Sequence, residues 1–292
     1  MNKTLTAWII AARPKTLAAS VSPVMVATAM AIGDGIHHLP TAILCFLAAL
    51  CIQIATNIAN DYYDFLHGAD TSERIGPTRV TQAGLIKPAY IKWAFITLFL
   101  IAALISVPLI ERGGWPIATI AIASILSGLF YTAGSRPLGY MGLGDLFVLI
   151  FFGPVAVGGT YYVQSLEINL AVILVGFSVG LLSVAILCVN NLRDMESDQK
   201  TGKHTLAVRF GKSFAQFEYT TCLITAFLIP VLIYSLIDDH KSVLINVIML
   251  FVAIPLIASI FKREGAGLNQ LLAQTGLLLF VYSLLFSITW VL

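Results

Sequence analysis

TAILCFLAALCIQIATNIANDYYDFLHGAD, residues 41–70, joins a charge-free apolar run to three aspartates, Asp61, Asp64 and Asp70. A membrane-spanning helix needs roughly 20 mainly apolar residues, and the first part of this stretch has that character. Carboxylates at the mouth of such a span are costly and point to function by default. The reading of this junction decides both the fold and the chemistry.

Apolar runs of the same kind recur along the chain. Of its 292 residues, 58% are hydrophobic and only 11% charged, with a mean hydropathy of +0.90. Soluble domains carry about 25% charged residues, so this is an integral membrane protein. Nine spans are expected, near 16–33, 39–60, 90–110, 115–134, 143–165, 168–189, 215–237, 242–261 and 267–291. The runs are continuous, without the dyad alternation of a membrane β-barrel. The expected fold is therefore all-α, a multi-pass bundle of nine transmembrane helices. Residues 1–292 are read as one domain, with no soluble domain or long linker and a short interfacial helix at 5–13.

Charge placement orients the bundle. With nine spans, one side holds 15 of the 17 Lys and Arg residues, and the other only Arg112 and Lys241. The positive-inside rule then places the N-terminus in the cytoplasm and the C-terminus outside, in the plasma (inner) membrane. No cleavable signal is expected, because Arg13, Pro14 and Lys15 interrupt the first apolar run. Cys45, Cys51, Cys188 and Cys222 fall inside spans without metal spacing and read as packing residues. Membrane lipids are expected partners, and nucleic acid is not.

A second segment, CVNNLRDMESD (188–198), also ends an apolar helix and shares Asn-x-x-x-Asp with TNIANDYYD. If both helices continue through these segments, Asn57, Asp61 and Asp64 share one face, as do Asn190, Asp194 and Asp198. The spacing suggests two four-helix halves plus a ninth helix. Four facing carboxylates would repel one another and raise their own pKa values. A divalent cation resolves that conflict. Mg²⁺ takes oxygen ligands and bridges carboxylates to phosphates, so Asn57, Asp61, Asp64, Asn190, Asp194 and Asp198 are the expected metal ligands. Arg74, Arg79, Arg193 and Lys203 supply cations suited to phosphate oxygens. Tyr62, Tyr63, Tyr131 and Tyr140 are candidates for shielding a carbocation.

Other motifs carry less. TGKHT (201–205) has His204 where a P-loop needs another residue, and no glycine at 197. His37 and His38 read as solvated, and His67, His204 and His240 form no ligand pattern. The glycines of GYMGLGD (139–145) read as turn and packing residues.

NDYYDFLHGAD (60–70) and NNLRDMESDQKTGKHTLAVRFG (190–211) resemble the two Asp-rich signatures of the UbiA superfamily of membrane prenyltransferases. RPKTLAASVSPV (13–24), GPTRVTQAGLI (76–86) and YTAGSRPLGYMGLGD (131–145) are similar to its naphthoate-using branch. The resemblance implies a Mg²⁺-bound polyprenyl diphosphate between the two signatures, in a bundle open sideways to lipid. It implies Asp61, Asp64, Asp194 and Asp198 as the catalytic set. Asn57, Asn60, Asp70, Arg74, Arg79, Tyr131, Arg136, Tyr140, Asp145, Asn190, Arg193 and Lys203 follow as substrate-binding residues. Asp70 is expected to orient a basic residue. Benzoate-using relatives often carry Tyr-x-x-x-Lys in the third cytoplasmic loop. Here Tyr131 is followed by Arg136, which stands only as a candidate diphosphate contact. The implied reaction is decarboxylative prenylation of 1,4-dihydroxy-2-naphthoate, giving a demethylmenaquinol, or a phylloquinone precursor from a phytyl donor. Other aromatic acceptors, 4-hydroxybenzoate or homogentisate, are the nearest alternative.

An ion-coupled transporter would place its charges near the bilayer midplane on interrupted helices. Here the acids sit at helix ends beside basic loops, which favours an enzyme acting on an amphiphile. Retention of the four central aspartates weighs against a protein that only stores or delivers prenyl lipids.

Overall fold

The computed structural model describes residues 3–68, 75–237 and 240–292; Asp70 and Arg74 lie outside the described residues. All regular structure among those residues is helical. In chain order it comprises α1 (Lys3–Ala12), α2 (Ala18–Gly33), α3 (Leu39–Leu66), α4 (Pro88–Phe130), α5 (Gly144–Ile150) and α6 (Ala156–Ser165). There follow α7 (Leu170–Lys200), α8 (Leu206–Phe210), α9 (Lys212–Ile237), α10 (Met249–Lys262) and α11 (Leu268–Val291). The chain is a multi-pass membrane bundle. Among the described residues, seven helical runs are long and apolar enough to cross a membrane. An eighth arises if Lys3–Thr16 and Ala18–Gly33, bent by 53°, count as one span.

The difference from the expected nine lies in α4, where the spans foreseen at 90–110 and 115–134 form one run of 43 residues. A straight helix of that length would reach roughly 65 Å, about twice the ~30 Å hydrocarbon core. The run is not straight. Gly114, at φ 70° and ψ −157°, breaks it, in a conformation that glycine adopts without a Cβ penalty. The two halves then fold against each other. A Cβ at Gly128 would lie 3.4 Å from the Phe99 ring, and Phe95 and Phe99 share a cluster with Ile125 and Leu129. α4 is a helical hairpin.

Two large apolar clusters result, besides a small third one of Leu109, Ile117 and Val163. One joins α1, α3 and both arms of α4; the larger joins α2, α6, α7, α9, α10 and α11. α7 runs through the larger cluster, with Val175, Val179 and Leu182 fully buried. Glycines let α7 approach the broken α5–α6 span, as small residues do between membrane helices. A Cβ on Gly180 would lie 2.5 Å from the Leu149 carbonyl oxygen, and one on Gly176 2.8 Å from Pro154 Cα. Between α5 and α6 the chain makes one wide turn, Phe151–Val155, where Gly153 leaves helical geometry. α3 and α7 both continue helically through their Asp-rich segments, as the spacing argument assumed.

The clash at Gly180 is with backbone, which cannot rotate away. Gly180→Ala should destabilise the bundle by about 1–3 kcal/mol. Gly267→Ala, whose Cβ meets only ordinary contacts, should stay within about 0.5 kcal/mol. Thermal unfolding in detergent measures both; equal melting temperatures for the two variants would contradict the close approach.

Candidate active site

Between the two clusters lies a cavity of about 370 Å³. Its lining on α3 runs from Cys45 to Asp64, a distance of roughly 28 Å at 1.5 Å per residue. The two ends differ in chemistry. One carries Asn60, Asp64, Arg79, Asn190, Asn191, Asp194, Asp198 and Lys203, while the other is lined by Leu109, Ile117, Ile120, Phe151 and Val163.

The polar end is held together by buried charge. Lys203 Nζ lies 3.1 Å from Asp64 on α3 and 4.0 Å from Asp198 on α7, so one ammonium connects the two Asp-rich segments. It also sits 4.7 Å from the centre of the Tyr140 ring. Tyr140 donates to Asp64 Oδ1 at 2.8 Å, and Arg79 donates to Asp64 Oδ2 at 2.8 Å. Removing one partner of such a buried pair typically costs about 3–5 kcal/mol. The loop carrying Tyr140 is stitched to the loop carrying Lys203, since His204 N–H donates to the Tyr140 carbonyl and Arg209 to that of Met141.

The structure rearranges the expected roles on α3. Asn57, Asp61 and Asp64 do not all face the cavity. Asp64 and Asn57 do, together with Asn60, but Asp61 is absent from the lining. Asp61 is 2% exposed, and its two oxygens accept the backbone N–H groups of Val80 and Thr81 at 3.0 and 2.9 Å. It therefore shapes the loop that presents Arg79, and both of its oxygens are engaged away from the cavity. Asn60 and Asp64, four residues apart, form the cavity-facing amide–carboxylate pair, one register on from the pair Asn57–Asp61. Asn57 also has a structural duty: its Nδ2 donates to the Ala12 carbonyl and to Thr16 Oγ1. Asn60 Oδ1 accepts from Thr132 at 2.8 Å.

On α7, Asn190, Asp194 and Asp198 all line the cavity. Arg193 is not among the lining residues. Its guanidinium grips both oxygens of Asp194 at 2.8 and 2.6 Å, and also donates to Asn190 and to Asn269 on α11. Asn269 in turn donates to the Ile75 carbonyl. Arg193 is thus a positioning residue that aims Asn190 and Asp194. Arg136 is exposed and outside the lining. Asp145, 7% exposed, is buried outside the lining rather than presented to the cavity. Tyr131 lines the cavity.

Sequence reasoning missed Arg13 and Thr16, which line the cavity from the turn between α1 and α2. Arg13 adopts φ 51°, a left-handed conformation uncommon outside glycine and worth a functional question. The signal was present in RPKT, a cation beside proline where the first span begins, but only the fold of α3 against that turn gives it meaning.

These roles separate experimentally. Asp61→Asn replaces one acceptor with a donor and should open the 75–86 loop about tenfold or more, the loss of a charge-assisted hydrogen bond being about 1.5–3 kcal/mol. Asp194→Asn should leave that loop closed. Limited trypsin digestion at the Arg79–Val80 bond distinguishes them, and equal cleavage of both variants would contradict the assignment of Asp61.

With this geometry in hand, comparison with known proteins is informative. Residues 20–284 match the UbiA prenyltransferase family. The chain is 35% identical to the 1,4-dihydroxy-2-naphthoate octaprenyltransferase of Haemophilus influenzae, over 99% of this chain and 96% of that protein. It is 38% identical to the Escherichia coli protein of the same name, over 80% and 78%. A UbiA homolog from Archaeoglobus fulgidus, solved bound to GPP and Mg²⁺, shares the fold with a TM-score of 0.71 at 15% identity, over 98% and 99% of the two chains. The chain belongs to the UbiA prenyltransferase family.

Proposed function

We propose that this chain transfers a prenyl group from a polyprenyl diphosphate to 1,4-dihydroxy-2-naphthoate, with loss of diphosphate and CO₂, giving a demethylmenaquinol in the menaquinone series. The observation that carries the reading is the single cavity with Asp64, Asp194, Asp198 and Lys203 at one end and an apolar shaft behind them. A diphosphate head and an isoprenoid tail divide in the same way. The named relatives from H. influenzae and E. coli support the naphthoate acceptor.

The donor set fits Mg²⁺. The cavity-facing ligands Asn60, Asp64, Asn190, Asp194 and Asp198 offer only amide and carboxylate oxygens, the chemistry a hard cation selects. Among the described residues no three His, Cys, Asp or Glu side chains cage a metal by themselves. Mg²⁺ commonly uses one or two carboxylates and completes its shell with water and substrate phosphate. When bound, it would neutralise diphosphate oxygens and stabilise the charge they gain as the leaving group departs.

The chain's own residues do the remainder. Arg79 and Lys203 hold the diphosphate end, which favours heterolysis of the allylic C–O bond, both electrons leaving with diphosphate. The apolar shaft keeps water from the prenyl cation. The carboxyl-bearing ring carbon of the acceptor attacks that cation and forms the new C–C bond. CO₂ then leaves, and its bonding pair returns to the ring and restores aromaticity. Arg13, across the cavity beside Asn57, supplies a cation suited to the acceptor carboxylate.

The membrane arrangement follows the same reading. Each arm of the α4 hairpin counts as a crossing, and the bent N-terminal pair as another, giving nine in one domain of two four-helix halves plus a ninth. Fifteen of 17 basic residues then fall on the side of the Asp-rich ends, so the N-terminus and the active site are cytoplasmic and the C-terminus external.

Purified protein in lipid nanodiscs, given Mg²⁺ and octaprenyl diphosphate, should prenylate 1,4-dihydroxy-2-naphthoate and release CO₂ and diphosphate. EDTA should abolish the turnover. Asp64→Asn or Asp194→Asn should lower kcat/KM by about a hundredfold or more, as loss of transition-state charge stabilisation does. Transfer only to 4-hydroxybenzoate or homogentisate would reassign the acceptor, and transfer to none of the three would refute the reading.

A further inference from the structure

Two buried amides that line the cavity, Asn191 and Gln53, make no hydrogen bond among the described residues. Asn191 stands three residues before Asp194 on α7, within the Asp-rich end, where a diphosphate head accounts for it. Gln53 has no such explanation. From Ala42 to Ala55 of α3, no other residue carries an amide, a hydroxyl or a charge on its side chain. Gln53 is 8% exposed. Buried hydroxyls elsewhere in the lining are bonded to nearby carbonyls, Ser20 to Leu17 and Ser106 to Ala102. A polar group at this depth of a membrane helix is costly and points to function. Burying an amide without a partner adds to the cost.

The prenyl donor cannot supply that partner. Its polar atoms all belong to the diphosphate, and Gln53 lies roughly 16 Å along α3 from Asp64, at 1.5 Å per residue. A hydrocarbon tail beside Gln53 would leave the whole amide unpaired. The acceptor can pair it. Asn57, one turn or roughly 6 Å from Gln53 on α3, donates to the Ala12 carbonyl and to Thr16. It thereby fixes the turn that carries Arg13 against this part of the helix. An aromatic ring with its carboxylate toward Arg13 and a hydroxyl on its far edge bridges the gap to Gln53.

We propose that Gln53 is an acceptor-binding residue, its amide hydrogen-bonded to the ring hydroxyl farthest from the acceptor's carboxylate. In 1,4-dihydroxy-2-naphthoate that is the 4-hydroxyl. The inference rests on the prenyl-transfer reading of the site and adds a determinant of acceptor choice. An amide carries both an acceptor and donors, so it can pair with the hydroxyl or with its anion. A site built to hydrogen-bond a hydroxyl rejects analogues that lack it, because the buried amide is then left unpaired.

The test is a cycle between one side chain and one hydroxyl. Purified protein in nanodiscs is loaded with Mg²⁺ and a non-hydrolysable prenyl thiodiphosphate, so that no turnover occurs. Dissociation constants are then measured for 1,4-dihydroxy-2-naphthoate and for 1-hydroxy-2-naphthoate, which lacks only the 4-hydroxyl. Wild type should bind the diol about tenfold or more tightly than the monohydroxy compound, as one net hydrogen bond provides. Gln53→Leu, and Gln53→Met with the side-chain length kept, should bind the two within about twofold of each other. Both variants should hold the thiodiphosphate within about twofold of wild type, which shows that they fold. A preference for the diol that is the same in wild type and both variants, or absent from wild type, would overturn the assignment and leave the prenyl-transfer reading intact. Wild type that neither binds nor prenylates the diol would overturn both.

Discussion

A single ammonium joins the two halves of the site. Lys203 lies between Asp64 of α3 and Asp198 of α7, at the end of a cavity whose walls are otherwise mostly apolar. Charges this deep persist only when paired and hydrogen-bonded, and the surrounding loops are arranged to do that. Arg79 and Tyr140 complete Asp64, Arg193 completes Asp194, and Asp61 holds the loop from which Arg79 extends. Loops between the helices of such a protein would ordinarily be solvated connectors. Here they are bound into the bundle because the carboxylates require them.

The same network explains the polarity of the cavity. The ionised groups Asp64, Arg79, Asp194, Asp198 and Lys203 gather at one end, and the remainder of the lining is mostly apolar, with scattered neutral polar side chains such as Gln53, Ser106 and Thr160. An amphiphile can enter that space in only one orientation, with its anion at the charged end and its tail in the shaft. Diphosphate departure then happens where cations are concentrated, and the cation left behind lies where water is scarce. Orientation, leaving-group stabilisation and protection from hydrolysis thus come from one distribution of charge.

Much of this was legible in the sequence. Apolar runs of the right length located α3, α7, α9 and α11, and the two Asn-x-x-x-Asp segments marked α3 and α7 as the helices that matter. The register on α3 was not legible. Asn57–Asp61 and Asn60–Asp64 have identical spacing, and only the loop at Val80 and Thr81, distant in sequence, decides that Asp61 turns toward it and Asp64 toward the cavity. Arg193 posed a similar problem. As an arginine beside an aspartate it looked like a phosphate contact, yet Asn269, 76 residues away, draws it into a structural lock. The hairpin in α4 was visible as two apolar runs, while the turn at Gly114 appeared only in three dimensions. Local pattern identified the helices and their chemistry; side-chain direction depended on non-local partners that a single sequence does not pair.

The most direct measurement is an experimental structure with Mg²⁺ and a non-hydrolysable prenyl thiodiphosphate. The account predicts both phosphorus atoms between α3 and α7, with Mg²⁺ on oxygens drawn from Asn60, Asp64, Asn190, Asp194 and Asp198. It predicts Asp61 still bonded to the Val80 and Thr81 amides, and the tail pointing toward Leu109 and Val163. A diphosphate bound away from Asp64 and Asp194, or a metal held by Asp61, would contradict it.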